Sequence, residues 1–145
     1  MIVADTNVVS ELMRPAPAPV IVQWVRATAA TDLYTTAITT AEIGYGIERL
    51  PDGQRKEELA ATAAEVFTTF AEHILAFDAE AAALYGTILT RRERAGRPMT
   101  GFDVQIASIC RAHDATLATR NVKDFDHTGI KVLDPWSGSR ARRRS

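Results

Sequence analysis

The stretch that decides the fold is "IVADTNVVSEL", Ile2 to Leu12. Ile2-Val3-Ala4 is a short apolar run rich in β-branched side chains, the pattern of a strand buried on both faces, and it runs straight into a carboxylate at Asp5. Val8–Met13 then reads as a helix, stopped by the prolines of "RPAPAP" at 14–19. In sheets built from such strand-to-helix units, ligands bind beyond the carboxyl ends of the strands, where helix N-termini and loops converge. Asp5 ends the first strand and is therefore expected to face that crevice.

Working outward, further strand signals lie at Leu33–Ile38, Ile74–Phe77, Ala115–Thr119 and Ile130–Leu133. Helical stretches are expected at Val20–Ala29, Ala41–Leu50, Gln54–Glu72, Glu80–Arg94 and Phe102–His113. The alternation predicts an α/β domain, a mainly parallel sheet with helices on both faces. A chain of 145 residues, 46% of them hydrophobic, suits one core. The expected organisation is a single domain over 1–136 and a basic, disordered tail over 137–145, with "RPAPAP" and "PDG" as the other linkers. There is no internal repeat.

Composition excludes several functions. No apolar run approaches the ~20 residues of a membrane span, and no leader pattern opens the chain. The single cysteine, Cys110, forms neither an internal disulfide nor a zinc site alone, which fits a reducing cytoplasm. His73, His113 and His127 stand apart, without metal-ligand spacing. Phosphate-binding glycine motifs and a G-x-S-x-G elbow are absent. The formal charge is -1, but removing the four arginines at 140 and 142–144 leaves -5, so the folded body is acidic. A broad basic nucleic-acid surface is not expected, although the tail has the charge to touch RNA phosphates.

Those acids have a pattern. Asp5 is joined by Glu42 just after the second expected strand, Asp103 at the start of the helix before the fourth, and Asp124 in the "TRNVKDF" loop after it. Singly, each has a local explanation: Asp5 or Thr6 as a helix cap, Thr39–Glu42 as a capping box, Thr100–Asp103 as a looser one, Asp124 as a turn cap. Together, four ionised carboxylates within ~7 Å repel one another by about 14 kcal/mol at an effective dielectric near 20, comparable with the whole stability of a domain. Such a cluster holds protons or a cation. With oxygen donors only, Mg²⁺ or Mn²⁺ is favoured over zinc, and a carboxylate-held Mg²⁺ suits phosphodiester hydrolysis.

At these residues the sequence resembles the PIN-domain proteins, in particular the VapC/FitB-type toxins of bacterial toxin–antitoxin pairs. The resemblance rests on "IVADTNVVSEL", "TTAEIGYGIERL", "RRERAGRPMTGFDVQIASICRAHDATLATRNVKDF" and "TGIKVLDPW", spanning Met1 to Trp136. It implies a three-layer α/β/α sandwich and a Mg²⁺-dependent ribonuclease, Mn²⁺ being an alternative ion. Asp5, Glu42 and Asp103 match the family's acidic triad, with Asp5 and Asp103 as metal ligands. Asp124, acting through water, or Asn121 supplies the fourth position. Thr6, Asn7 and Thr119 match small polar residues that hold carboxylates or waters, and Arg120 and Lys123 are candidates to meet substrate phosphates. The resemblance further implies homodimerisation and an antitoxin of VapB/FitA type, with a DNA-binding N-terminal part and a C-terminal segment that wraps the toxin. Gly44 and Gly46, inside an expected helix, suggest close approach of a neighbouring element.

Two other readings compete. A catalytically silent protein of the same fold would use the acidic pocket as a receptor for its partner's arginine. A phosphatase-like α/β protein with Asp5 as nucleophile is disfavoured, because Asn7 stands where a second aspartate is needed and Ala4 precedes Asp5.

Overall fold

The computed structural model describes residues 1–138 and 140–145. Its strands are β1 (Ile2–Ala4), β2 (Leu33–Thr36), β3 (Ile74–Leu75), β4 (Thr116–Ala118), β5 (Lys131–Leu133) and β6 (Arg142–Arg143), and its helices are α1 (Thr6–Leu12), α2 (Pro19–Ala27), α3 (Ala37–Glu48), α4 (Gln54–Phe70), α5 (Ala79–Arg94) and α6 (Gly101–Ala112). The strands form one sheet in the order β3-β2-β1-β4-β5-β6. Every pairing is parallel except β5 with β6. The chain reverses its direction of travel across the sheet at β1, so the gap between β1 and β4 is the crevice where such sheets bind ligands.

Strand alternation distributes the core into two layers. Val3 on β1 joins Leu117, Val132, Val104, Ala107 and Ile88 on the face covered by α5 and α6. The next residue, Ala4, faces the opposite way and packs with Val8, Val9, Ile21, Ile43 and Phe70 from α1 to α4. The result is the expected α/β/α sandwich, with β1 and β4 buried in its middle.

Local chemistry moves several boundaries. The run "TTAITT" has the β-branched look of a strand, yet β2 stops at Thr36, whose side chain accepts a hydrogen bond from the Thr39 amide at 3.1 Å. The N-cap is therefore Thr36 rather than Thr39, the helix starts four residues earlier than expected, and Glu42 lies in its second turn instead of directly after the strand. At α6 the expected cap is present: Thr100 accepts from the Asp103 amide at 3.2 Å. Nothing lies within 4 Å of a Cβ built on Gly44 or Gly46. The close approach expected at these glycines is absent among the described residues.

The segment read as a disordered tail contains β6. Arg142 and Arg143 pair with Val132 and Lys131, and the Arg144 side chain binds Asp126. The reason is an open edge on β5, whose unpaired backbone groups accept another strand. Ser139 of that segment lies outside the described residues.

Arg92 holds the loops that carry the site. It is 5% exposed on the inner face of α5, one turn beyond Ile88. Its guanidinium donates to the carbonyls of Asp126 at 2.8 Å, Pro98 at 3.3 Å and Lys123 at 3.5 Å. It thus ties α5 to the loop entering α6 and to the one-turn helix Val122–Phe125. Arg92→Ala should destabilise the protein by about 2–4 kcal/mol, since a buried charged donor to three carbonyls is lost. Urea unfolding measures this, and a change under about 0.5 kcal/mol would contradict the assigned role.

Candidate active site

Asp5 stands where β1 becomes α1, and its carboxylate has both oxygens occupied by donors. Oδ1 accepts from the Thr6 amide at 2.8 Å, while Oδ2 accepts from the Thr119 hydroxyl at 2.7 Å and from Asn7 Nδ2 at 3.3 Å. The Thr119 hydroxyl itself receives Asn7 Nδ2 at 3.0 Å and the Asn121 amide at 3.1 Å. Both of those groups can only donate, so the single hydroxyl proton is directed to Asp5. Thr119 follows β4, and this arrangement locks the ends of the two central strands together.

Glu42 is reached from α1. Thr6 Oγ1 donates to Glu42 Oε1 at 2.9 Å and lies 3.0 Å from Thr39 Oγ1. Because the Thr6 proton goes to Glu42, the Thr39 hydroxyl is the donor in its contact with Thr6. Two helices and their caps are thereby connected through three polar side chains.

Asp5, Thr6, Asn7, Glu42, Asp103 and Asn121 line a single open cavity of about 540 Å³. Burial is the main cause that raises the pKa of Asp5, with the charges of Glu42 and Asp124 adding to it against the hydrogen bonds from Thr119 and Thr6. Burial likewise raises Glu42, helped by Asp103 and opposed by the Thr6 hydrogen bond. Asp103 is pushed up to about 6 by burial first and then by Asp5 and Asp124, while Thr100 and Arg92 pull it down. These groups feel one another, and among the described residues none of the three forms an ion pair with a lysine, arginine or histidine.

The other expected residues are placed less centrally. Asp124 is exposed and lies outside the cavity wall, yet its charge reaches both Asp5 and Asp103. Asn121 is part of the wall. Arg120 stacks its guanidinium over the Trp136 ring at 4.9 Å, and its amide donates to Asn7 Oδ1 at 3.2 Å. Lys123 is exposed and also outside the wall. His73 stacks on Tyr34 with ring centroids 4.2 Å apart, far from a ligand role.

Among the described residues, no three His, Cys, Asp or Glu side chains close into a ready metal cage. The donor set nevertheless suits a hard, partly hydrated cation. Mg²⁺ keeps several waters and is commonly held by one or two carboxylates together with substrate phosphate, and here mutually repelling carboxylates share one water-accessible cavity.

Residues 2–131 match the PIN domain family. The chain is a PIN-domain protein. It is 35% identical over 137 residues to the plasmid stability protein StbB of Pseudomonas syringae pv. tomato, covering 94% of this chain and 99% of that protein. Toxin FitB of Neisseria gonorrhoeae is likewise 35% identical, with the same coverage of each. VapC ribonuclease Y4jK of Sinorhizobium fredii is 33% identical, covering 94% of this chain and 98% of the relative. Among solved structures, FitAB bound to an IR36 DNA fragment superposes with a TM-score of 0.88 at 34% identity, covering 97% of this chain and 99% of that one.

Sequence reasoning about this PIN domain missed Arg92, Glu11 and Arg14. Arg92 had a legible signal, an arginine in register with Ala81, Leu84, Tyr85 and Ile88 on the apolar stripe of a helix. Glu11 had a similar one: it is an acid inside a short apolar helix, and it is 7% exposed.

The raised pKa of Asp103 fixes a pH dependence. The folded state holds this proton more tightly than the unfolded chain, whose ordinary value is 3.8, so the ion-free protein loses stability as pH rises through about 6. In chelator at pH 7.5, Asp103→Asn should melt about 2–6 °C above the parent protein. The difference should shrink as pH falls from about 6 towards 3.8, and be smaller at about pH 4.5. Melting curves at both pH values test this, and an asparagine variant no more stable than its parent at pH 7.5 would refute it.

Proposed function

We propose that this protein is the toxin of a type II toxin–antitoxin pair and a divalent-metal-dependent ribonuclease of the cytoplasm. The observation that carries the reading is the convergence of Asp5, Glu42 and Asp103, from three separate elements, on one cavity without a counter-charge of their own among the described ion pairs. Relatives that cover the chain almost completely carry the names VapC ribonuclease and toxin FitB, which supports the same class.

Asp5 and Asp103 would hold Mg²⁺, or Mn²⁺ in its place. When bound, the ion supplies charge stabilisation at the phosphate and a more acidic water. The remaining work belongs to the chain's own residues. Thr119, Asn7 and the Thr6 amide fix the Asp5 carboxylate so that its free lone pairs face the cavity. Glu42, oriented by Thr6 and raised toward the pH of operation, accepts a proton from the attacking water. Attack on phosphorus breaks one P–O bond of the RNA, and the departing oxygen takes a proton from solvent. Asn121 in the wall and Asp124 behind it complete the polar surroundings, while Arg120 and Lys123 provide positive charge on the flank.

The partner is a cognate antitoxin of the VapB/FitA kind with a DNA-binding N-terminal part. Support comes from the solved complexes of FitAB and FitAcB, the former bound to DNA. A groove of about 730 Å³ adjoins the acidic cavity and shares Thr6 and Glu42 with it, with Ile43, Ile47 and Leu59 on its apolar side. It suits an antitoxin segment. The toxin's assembly is proposed to be a homodimer or a toxin–antitoxin hetero-oligomer.

Asp5→Asn and Asp103→Asn should each reduce RNA cleavage by more than about a hundredfold, Asp103→Asn without lowering the melting temperature. Purified protein with Mg²⁺ or Mn²⁺, mapped RNA ends and growth after induced expression measure this. A parent protein that binds its antitoxin but leaves RNA intact with either ion would instead establish the silent interaction protein.

A further inference from the structure

Among the described residues, Arg14 is the one lysine or arginine that lines the acidic cavity. It also lines the adjoining apolar groove, so it stands on the rim the two cavities share. Its Nη1 donates to Glu11 Oε1 at 3.3 Å and Oε2 at 3.2 Å, while the side chain remains 65% exposed. The Nε and Nη2 groups have no hydrogen-bond partner among the described residues and are left to meet a ligand.

Glu11 explains how the cation is held. This carboxylate is 7% exposed, and its Oε2 also accepts from the Ala18 amide at 3.1 Å. The anion is thus clamped between the end of α1 and the loop that follows. Pro15, Pro17 and Pro19 restrict the backbone of that loop. The pair joins this buried carboxylate to a guanidinium whose side chain is 65% exposed, so it fixes where the positive charge stands.

An RNA strand carries a charge on every nucleotide. While one phosphate meets the ion site, its neighbour enters a cavity walled by Asp5, Glu11, Glu42 and Asp103 and needs a positive partner. A guanidinium fork fits two phosphate oxygens and presents no lone pair to repel them. We propose that Arg14, positioned by Glu11, binds the RNA phosphate next to the scissile one, a role that rests on the ribonuclease reading above. Arg120 is occupied by the Trp136 ring and Lys123 is outside the wall, which leaves Arg14 as the cation in the cavity lining.

The test uses the full chain with Mg²⁺ and a fluorogenic pool of short random-sequence RNA, with cleavage followed across a range of salt. Arg14→Ala should raise KM by about tenfold to a hundredfold, as expected for loss of a charge-assisted pair, while kcat changes by less than about threefold. The log–log dependence of kcat/KM on salt should become shallower by about 0.7, the share of one phosphate contact on a single strand. Arg14→Lys should recover part of the KM and all of the salt slope. Glu11→Gln, which leaves the arginine but loosens its anchor, should fall between. Melting temperatures of the lysine and glutamine variants show that the fold persists. Unchanged KM and salt slope in Arg14→Ala, or a fall in kcat alone, overturns the inference while cleavage by the parent protein leaves the ribonuclease reading standing. No cleavage of the pool or of total bacterial RNA by the parent removes both.

Discussion

The structure depends on a repulsion that the fold creates and does not itself cancel. Two adjacent parallel strands must end somewhere, and the ends of β1 and β4 bring Asp5 to the foot of the cavity, with Thr119 beside it. Helix α6, capped at Thr100, presents Asp103 in its first turn, and α3 presents Glu42 in its second. Each carboxylate has an acceptable local environment. Their sum does not: burial first, and then the neighbouring carboxylates, raise the pKa of all three.

The hydroxyl network explains why the acids stay in place despite this. Thr119, Thr6 and Thr39 are buried or half-buried; Thr119 directs its proton to Asp5 because its other partners can only donate, and Thr6 directs its proton to Glu42. Aimed at carboxylates, the Thr119 and Thr6 hydroxyls favour the ionised forms that burial disfavours. The opposition leaves the site poised between protonation and cation binding. Arg92 holds the loops around that balance without entering the cavity.

Much of this was legible in the sequence, for reasons that differ residue by residue. The buried run Ile2–Ala4 ending in Asp5 needed no partner to be read, because strand and cap are local. The capping pattern Thr100–Asp103 was equally local and is present. Glu42 was located to the right neighbourhood but the wrong turn, since "TTAITT" satisfies both strand propensity and an N-cap and only the Thr36 side chain decides between them. The β6 pairing was invisible because it requires knowing that β5 has a free edge. Arg14 and Glu11 drew no reading from the sequence. Their position on the cavity rim emerges only once α1 is laid across the sheet.

The most direct test of the central claim is calorimetric titration of the protein with Mn²⁺ at pH 6 in buffers of different protonation enthalpy. If a cation relieves the carboxylate repulsion, binding displaces the proton that Asp103 holds at about 6. The apparent enthalpy should then vary with the buffer in proportion to about half a proton or more released per site. Heat that is the same in every buffer, or no binding heat at all, would contradict the account.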